Sequence, residues 1–112
     1  MLSKKYRIPK TDFKNLFKKG KHIHSNEIAL IFRQKEHLRN NQFTVIISTK
    51  IANAVIRNSI KRKIKHILQK NLSRIKKGYQ IGFLLKRNVD KTDKEALEEI
   101  IIKLLEKAEL LS

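Results

Sequence analysis

Residues 50–68, KIANAVIRNSIKRKIKHIL, constrain the fold more than any other part of the chain. Apolar residues fall at Val55, Ile56, Ile60, Ile64, Ile67 and Leu68, and the spacing continues to Leu72 and Ile75. Steps of three and four make one buried stripe on an α-helix. At about 100° per residue, Asn58, Lys61, Arg62, Lys65 and Gln69 gather on one flank of that stripe, with Arg57 at its border. Lys and Arg are good helix formers and can simply fill a solvated face. A flank of cations and amides beside a buried face suits a row of phosphates better.

The rest of the chain strengthens the second reading. It has 112 residues, enough for one domain with a single core, expected to span 1–112. Hydrophobic residues make up 40%, too many for a disordered tail. Lys and Arg number 27 against 10 acids, a formal net charge of +17, and such self-repulsion is relieved by a polyanion. The charge is uneven. Residues 1–88 hold 23 Lys and Arg against Asp12, Glu27 and Glu36, whereas residues 89–112 hold four Lys against seven acids. The polyanion site is therefore expected in the first 88 residues, with the last helix as scaffold. There is no Cys, which excludes a disulfide framework and thiolate metal sites. No apolar run approaches the roughly 20 residues of a membrane span. The start, MLSKKYRIPK, lacks the apolar core of a secretory signal. A cytoplasmic protein with no membrane partner is expected.

Along the chain, residues 8–19 read as a short helix. Pro9 suits its first turn, Asp12 its positive end and Gly20 its C-terminal cap. Residues 22–34 and 42–49 read as strands joined by a polar turn at 35–41. Phe43, Val45 and Ile47 share one face of the second strand, with Ile46 on the other. The basic helix is expected to run to Lys77-Gly78, and residues 79–85 form a third strand. Thr92 with Glu95 reads as a capping box for a final helix. Its apolar stripe is Leu97, Ile100, Ile101, Leu104, Leu105 and Ala108. The order α-β-β-α-β-α predicts an α+β fold, a small two-layer sandwich of helices on one sheet.

Catalytic signatures are weak. Gly20, Gly78 and Gly82 are isolated, so no phosphate-cradling loop is present. Glu98 and Glu99 read as a solvated helix face. His22 and His24 alternate on one strand face, but a third metal ligand is not evident, and a basic surface favours phosphate contact for them. His66 reads as solvated. Ser48, Thr49 and Ser59 have no evident base partner. Binding signals are stronger. Lys4, Lys5, Arg7 and Lys10 precede the first helix, and Lys14, Lys18, Lys19 and Lys21 continue the charge. Phe13 and Phe17 lie among these cations, either packed in the core or exposed as platforms for an unpaired base. No duplex-reading module is visible, so shaped RNA is the expected partner.

The segment IISTKIANAVIRNSIKRKIKHIL strongly resembles the signature of the bacterial ribonuclease P protein subunit. In that family an Arg-Asn-Arg motif opens a basic helix after a Lys-x-Gly-x-Ala-Val loop. RIPKTDFKNLFKKGKHIHSNEIAL resembles the family's start, and the likeness covers essentially the whole chain. Three positions depart from the pattern: Ala52 stands for the usual Gly, Ser59 for the second Arg, and Ile31 for a frequent aromatic. Ala52 implies a loop that does not demand a positive φ, or that tolerates one with some strain.

The resemblance implies a mixed sheet with an unusual left-handed βαβ crossover. It implies a protein subunit of a ribonucleoprotein endonuclease that removes the 5′ leader of precursor tRNA. The chemistry belongs to the RNA subunit, which also holds most of the Mg²⁺; no tightly bound cofactor is expected on the protein, and no catalytic residue. By motif position, Arg57, Asn58, Lys61, Arg62 and Lys65 become contacts to ribonuclease P RNA. Phe13, Phe17 and Lys50 become contacts to the leader. Two rivals remain: a ribosomal-type RNA-binding protein with no role in tRNA processing, and an independent nuclease using His22 and His24.

Overall fold

The computed structural model describes residues 4–112; residues 1–3 of the cationic lead-in lie outside it. A single helical turn of 3-10 type at Lys10–Asp12 leads into α1, Phe13–Lys19. Next come β1 (Lys21–His24), β2 (Ile28–Gln34) and β3 (Gln42–Ile46). The basic helix α2 (Ala54–Lys70), β4 (Tyr79–Leu85) and α3 (Lys94–Lys107) complete the fold. The four strands form one mixed sheet in the order β1-β2-β4-β3. Strand β2 is antiparallel to both neighbours, and β3 is parallel to β4, with Phe43 opposite Ile81. The parallel pair requires a crossover, and α2 supplies it.

One sheet face carries the main core. Ile28, Leu30 and Phe32 of β2, Phe43 and Val45 of β3, and Ile81, Phe83 and Leu85 of β4 pack against both long helices. From α2 come Ile60, Ile64, Ile67 and Leu68; from α3 come Leu97, Ile101, Leu104 and Leu105. The opposite face is only partly covered. There Leu16 of α1 packs with Ile8 and Ile31, flanked by Phe13 and Leu84. The α+β sandwich expected from the sequence is therefore the observed fold, with α1 adding a thin third layer behind the sheet.

Several boundaries differ from expectation. The run 22–34 is a hairpin rather than one strand. The Ser25 hydroxyl accepts from the Ile28 amide at 3.0 Å and the Glu27 amide at 3.3 Å, closing a tight turn. The first α-helix starts only at Phe13, because Pro9 is extended (ψ 142°) and the next residues wind as a 3-10 turn. The basic helix stops at Lys70, although Leu72 and Ile75 keep its apolar spacing. Asn71 ends it: its side-chain amide donates to the Ile67 carbonyl at 2.8 Å and to Glu98 at 2.9 Å. Gly78 instead turns the chain into β4 with φ +93°. At α3 the cap residue is Asp93, not Thr92, and no side chain closes a capping box.

Gly20 is the C-cap of α1, as expected, its amide donating to the Leu16 carbonyl at 2.8 Å, but not in a left-handed conformation. Its φ is −74°, open to any residue. A Cβ there would lie 2.4 Å from the Leu16 carbonyl oxygen and 3.0 Å from that of Phe32. Close approach of backbone, rather than conformation, demands glycine.

Asp12 likewise acts across space. It accepts from Lys35 Nζ and from Gln80 Nε2, both at 2.8 Å. Fully buried Gln80 also donates to Gln42 at 2.9 Å and accepts from Arg33 Nε at 2.8 Å. This network ties the start of α1 to three strands. The Lys35 and Gln80 hydrogen bonds hold the Asp12 carboxyl below its ordinary value of 3.8. A depressed carboxyl stabilises the fold above its unfolded pKa, and the gain is lost as pH falls through the lowered value. Asp12→Asn is therefore expected to cost about 1–3 kcal/mol at neutral pH. The cost should shrink toward strong acid in urea titrations of both proteins; a gap that is constant with pH would contradict it.

Candidate nucleic-acid interface

The loop before α2 is held by its own backbone. The Ile51 amide donates to the Ser48 carbonyl at 3.0 Å, and the Lys50 amide to the Ser48 hydroxyl at 3.1 Å. Asn53 caps the helix, its side-chain oxygen accepting from the Ile56 amide at 3.0 Å. Among the described residues, positive φ outside glycine occurs only at His37 and Glu109, so Ala52 has ordinary backbone, as its side chain requires. Arg57 reaches back, and its Nη1 donates to the Ala52 carbonyl at 2.9 Å. One of its five donors thus pins the loop, leaving the others for a ligand. Val55 departs from the expected stripe: it is 79% exposed.

Beside α2 lies a cleft of about 670 Å³. The N-terminal segment forms one wall, running along the free edge of β3 with Arg7 bridged to Phe43 and the Ile8 amide on the Phe43 carbonyl at 3.2 Å. Phe13, at the start of α1, forms another wall. Asn58, Lys61 and Lys65 of α2 line the far side. Arg62 opens elsewhere, into a separate depression with Ser59, Lys63 and His66. The five motif residues therefore do not all line one cleft. Three of them share a cleft with Phe13, a residue assigned by resemblance to a different ligand. Phe17 is 37% exposed on α1 and Lys50 is exposed in the loop; neither lines this cleft.

Sequence reasoning missed Arg7 as a member of the same cleft as Lys61 and Lys65, since only the edge pairing with β3 brings it there. Burial pushes the Lys65 ammonium below its ordinary value of 10.5, and repulsion from Arg7 and Lys61 pushes it further. Ion pairs among the described residues join Lys35 to Asp12, Lys63 to Asp90, Lys70 to Glu98 and Lys103 to Glu99. None reaches Arg7, Lys61 or Lys65. The cleft therefore gathers cations without a counter-charge, which an anion in it would stabilise.

His22 and His24 are exposed on edge strand β1, with ring centroids 6.4 Å apart and planes at 22°. Among the described residues no three His, Cys, Asp or Glu side chains cluster as a metal site. Among the same residues no helix is long and apolar enough to cross a membrane.

The family model for Ribonuclease P matches residues 2–109. The ribonuclease P protein component of Streptococcus agalactiae serotype Ia is 31% identical over 111 residues, 98% of this chain and 100% of that protein. That of Syntrophomonas wolfei is 34% identical over 113 residues, 100% of this chain and 94% of the relative. The fold is also shared. The RNase P protein of Staphylococcus aureus superposes with a TM-score of 0.86 at 22% identity, covering 96% of this chain and 98% of that one. The RNase P protein of Thermotoga maritima does so with a TM-score of 0.81 at 24% identity, covering 90% and 96%. With a family match over nearly the whole chain and relatives above 30% identity, the chain belongs to the ribonuclease P protein component family.

Proposed function

We propose that this chain, the protein subunit of ribonuclease P in tRNA processing, acts as one RNA-binding domain that brings two RNAs together. The ribonuclease P RNA lies along the exposed flank of α2, contacting Asn58, Lys61, Arg62, Lys65 and the free donors of Arg57. The 5′ leader of precursor tRNA enters from the α1 side, where Phe13 offers a ring and Phe17 and Lys50 extend the surface. The observation that carries this reading is the convergence of Arg7, Lys61 and Lys65 with Phe13 on one cleft without a paired carboxylate. Two polyanions approach one another at low cost only where such charge lies between them.

The RNA subunit performs the hydrolysis, and Mg²⁺ held mainly by that RNA would supply the activation of water. The protein's donor set does not fit a Mg²⁺ site: the cleft is cationic, and no carboxylate cluster occurs among the described residues. This chain's own groups neutralise phosphates and orient the leader, and the complex acts in the cytoplasm. Family membership favours this role over a ribosomal RNA-binding protein.

The test is single-turnover cleavage of precursor tRNA at low and high Mg²⁺, with a long leader and a one-nucleotide leader. The RNA subunit should gain most from added protein at low Mg²⁺ and with the long leader. Equal stimulation of both leaders would remove the leader-holding role. Cleavage by purified protein without RNA would overturn the mechanism in favour of a His22/His24 nuclease.

A further inference from the structure

The cationic cleft does not end at Lys65. A narrow neck lined by Tyr6, Arg7, Phe43, Lys65 and Leu68 continues it toward the C-terminal end of α2. Beyond the neck a second depression of about 370 Å³ opens, and Tyr6 lines both. From Asn58 to Gln69 this track follows α2 for eleven residues, roughly 16 Å at the rise of an α-helix. Its chemistry changes along the way. The first part presents Arg7, Lys61 and Lys65. The second presents the neutral groups of Asn41, Gln69 and Ser73 beside the Tyr6 ring, with Lys77 at the rim. Lys70, also there, is paired with Glu98 at 3.3 Å.

Asn41 is the telling group. It is only 2% exposed, and its side-chain oxygen accepts from the Tyr79 amide at 3.0 Å. That bond fixes which end of the amide is oxygen. Its NH₂ has no protein partner among the described residues and belongs to a side chain that lines the depression. That NH₂ is not itself sealed from solvent, so it is free to donate to a ligand in the depression. The Tyr6 ring carries the Lys5 ammonium 5.2 Å from its centroid, so positive charge attends the ring as well.

We propose that this depression is a nucleotide subsite. It takes one unpaired base of the ribonuclease P RNA, on the same strand whose phosphates occupy the adjoining cationic cleft. Neutral amides and a hydroxyl read the edge of a base, an aromatic ring takes its face, and cations take its phosphates. This division matches the order of groups along the track. The inference rests on the assignment of α2 to the RNA subunit, and it adds recognition of a base to attraction of a backbone.

The experiment compares two variants with the intact protein in titrations of the RNA subunit at several salt concentrations. Gln69→Ala removes an exposed side chain, and Tyr6→Leu keeps apolar packing while removing the ring. Together they should weaken binding roughly tenfold or more, the scale of a lost base stack. The dependence of affinity on salt should stay unchanged, because no phosphate contact is lost. The chain has no Cys, so Gln69→Cys carrying a photoreactive azidophenacyl group marks one position only. It should cross-link to an unpaired nucleotide of the RNA subunit. Unchanged affinity of both variants, or cross-links confined to the precursor-tRNA leader, would overturn the subsite. Failure of the intact protein to bind the RNA subunit would instead sink the assignment of α2 itself.

Discussion

Replacing Ile64 by alanine is expected to lower the unfolding free energy by about 2–5 kcal/mol. Ile64 is fully buried at the centre of the apolar stripe of α2, in the cluster that joins this helix to β2, β4 and α3. Deleting its three outer carbons loses their transfer energy and leaves a cavity that the sheet beneath cannot easily fill. Typical domains are stable by about 5–15 kcal/mol, so one such change can leave little margin. Lys61, one turn earlier on the cleft side, should behave otherwise: truncation to alanine removes charge while leaving the stripe intact. Urea unfolding of the two variants separates these effects. A loss below about 1 kcal/mol for Ile64→Ala would mean that the helix is rotated from its observed phase.

That contrast is legible from sequence because periodicity reports which side of a helix is dry. Spacing alone places Ile60, Ile64, Ile67 and Leu68 in the core, and all are buried. The same logic assigned Leu97, Ile101, Leu104 and Leu105. It failed where a local hydrogen bond overrides the pattern. Spacing carries the helix past Lys70, but the Asn71 side chain takes the Ile67 carbonyl and ends it. Apolar residues run through 22–34, but the Ser25 hydroxyl breaks the run into a hairpin. Ser25-Asn26 is a turn signal that could have been read. The gathering of Arg7 with Lys65 could not, since it depends on pairing between segments 36 residues apart in sequence, Arg7 and Phe43. Nor could the position of Phe13. It depends on a polar network in which Asp12 of the turn before α1 meets Gln80 of β4 and Lys35 just past β2. Motif resemblance points to the residues proposed as RNA contacts, and only tertiary structure divides them between Asn58, Lys61 and Lys65 in the cleft and Arg62 outside it.

Changing Lys61 to alanine and Lys65 to methionine together is expected to weaken binding to ribonuclease P RNA by about tenfold or more per lost contact. The salt dependence of the affinity should shallow by roughly 0.7–0.9 per residue, taking nucleic-acid scales for folded RNA. Stability should move the other way. In the free protein the Lys65 ammonium is partly desolvated and repelled by Arg7 and Lys61, which is why its pKa is lowered. A depressed ammonium disfavours folding while it is charged. Wild-type stability should therefore rise as pH climbs through the lowered value toward 10.5, and the variant should lack that rise. Methionine keeps much of the lysine stem's packing without the charge. The variant should thus bind worse while folding at least as stably as wild type near neutral pH. This opposition separates a ligand-binding charge from a structural one, because a lysine that supports the fold would lose binding and stability together. Titrations at three salt concentrations, paired with thermal unfolding, read both quantities. Unchanged affinity and slope would remove these two residues from the interface; lost binding with a large drop in melting temperature would make them structural.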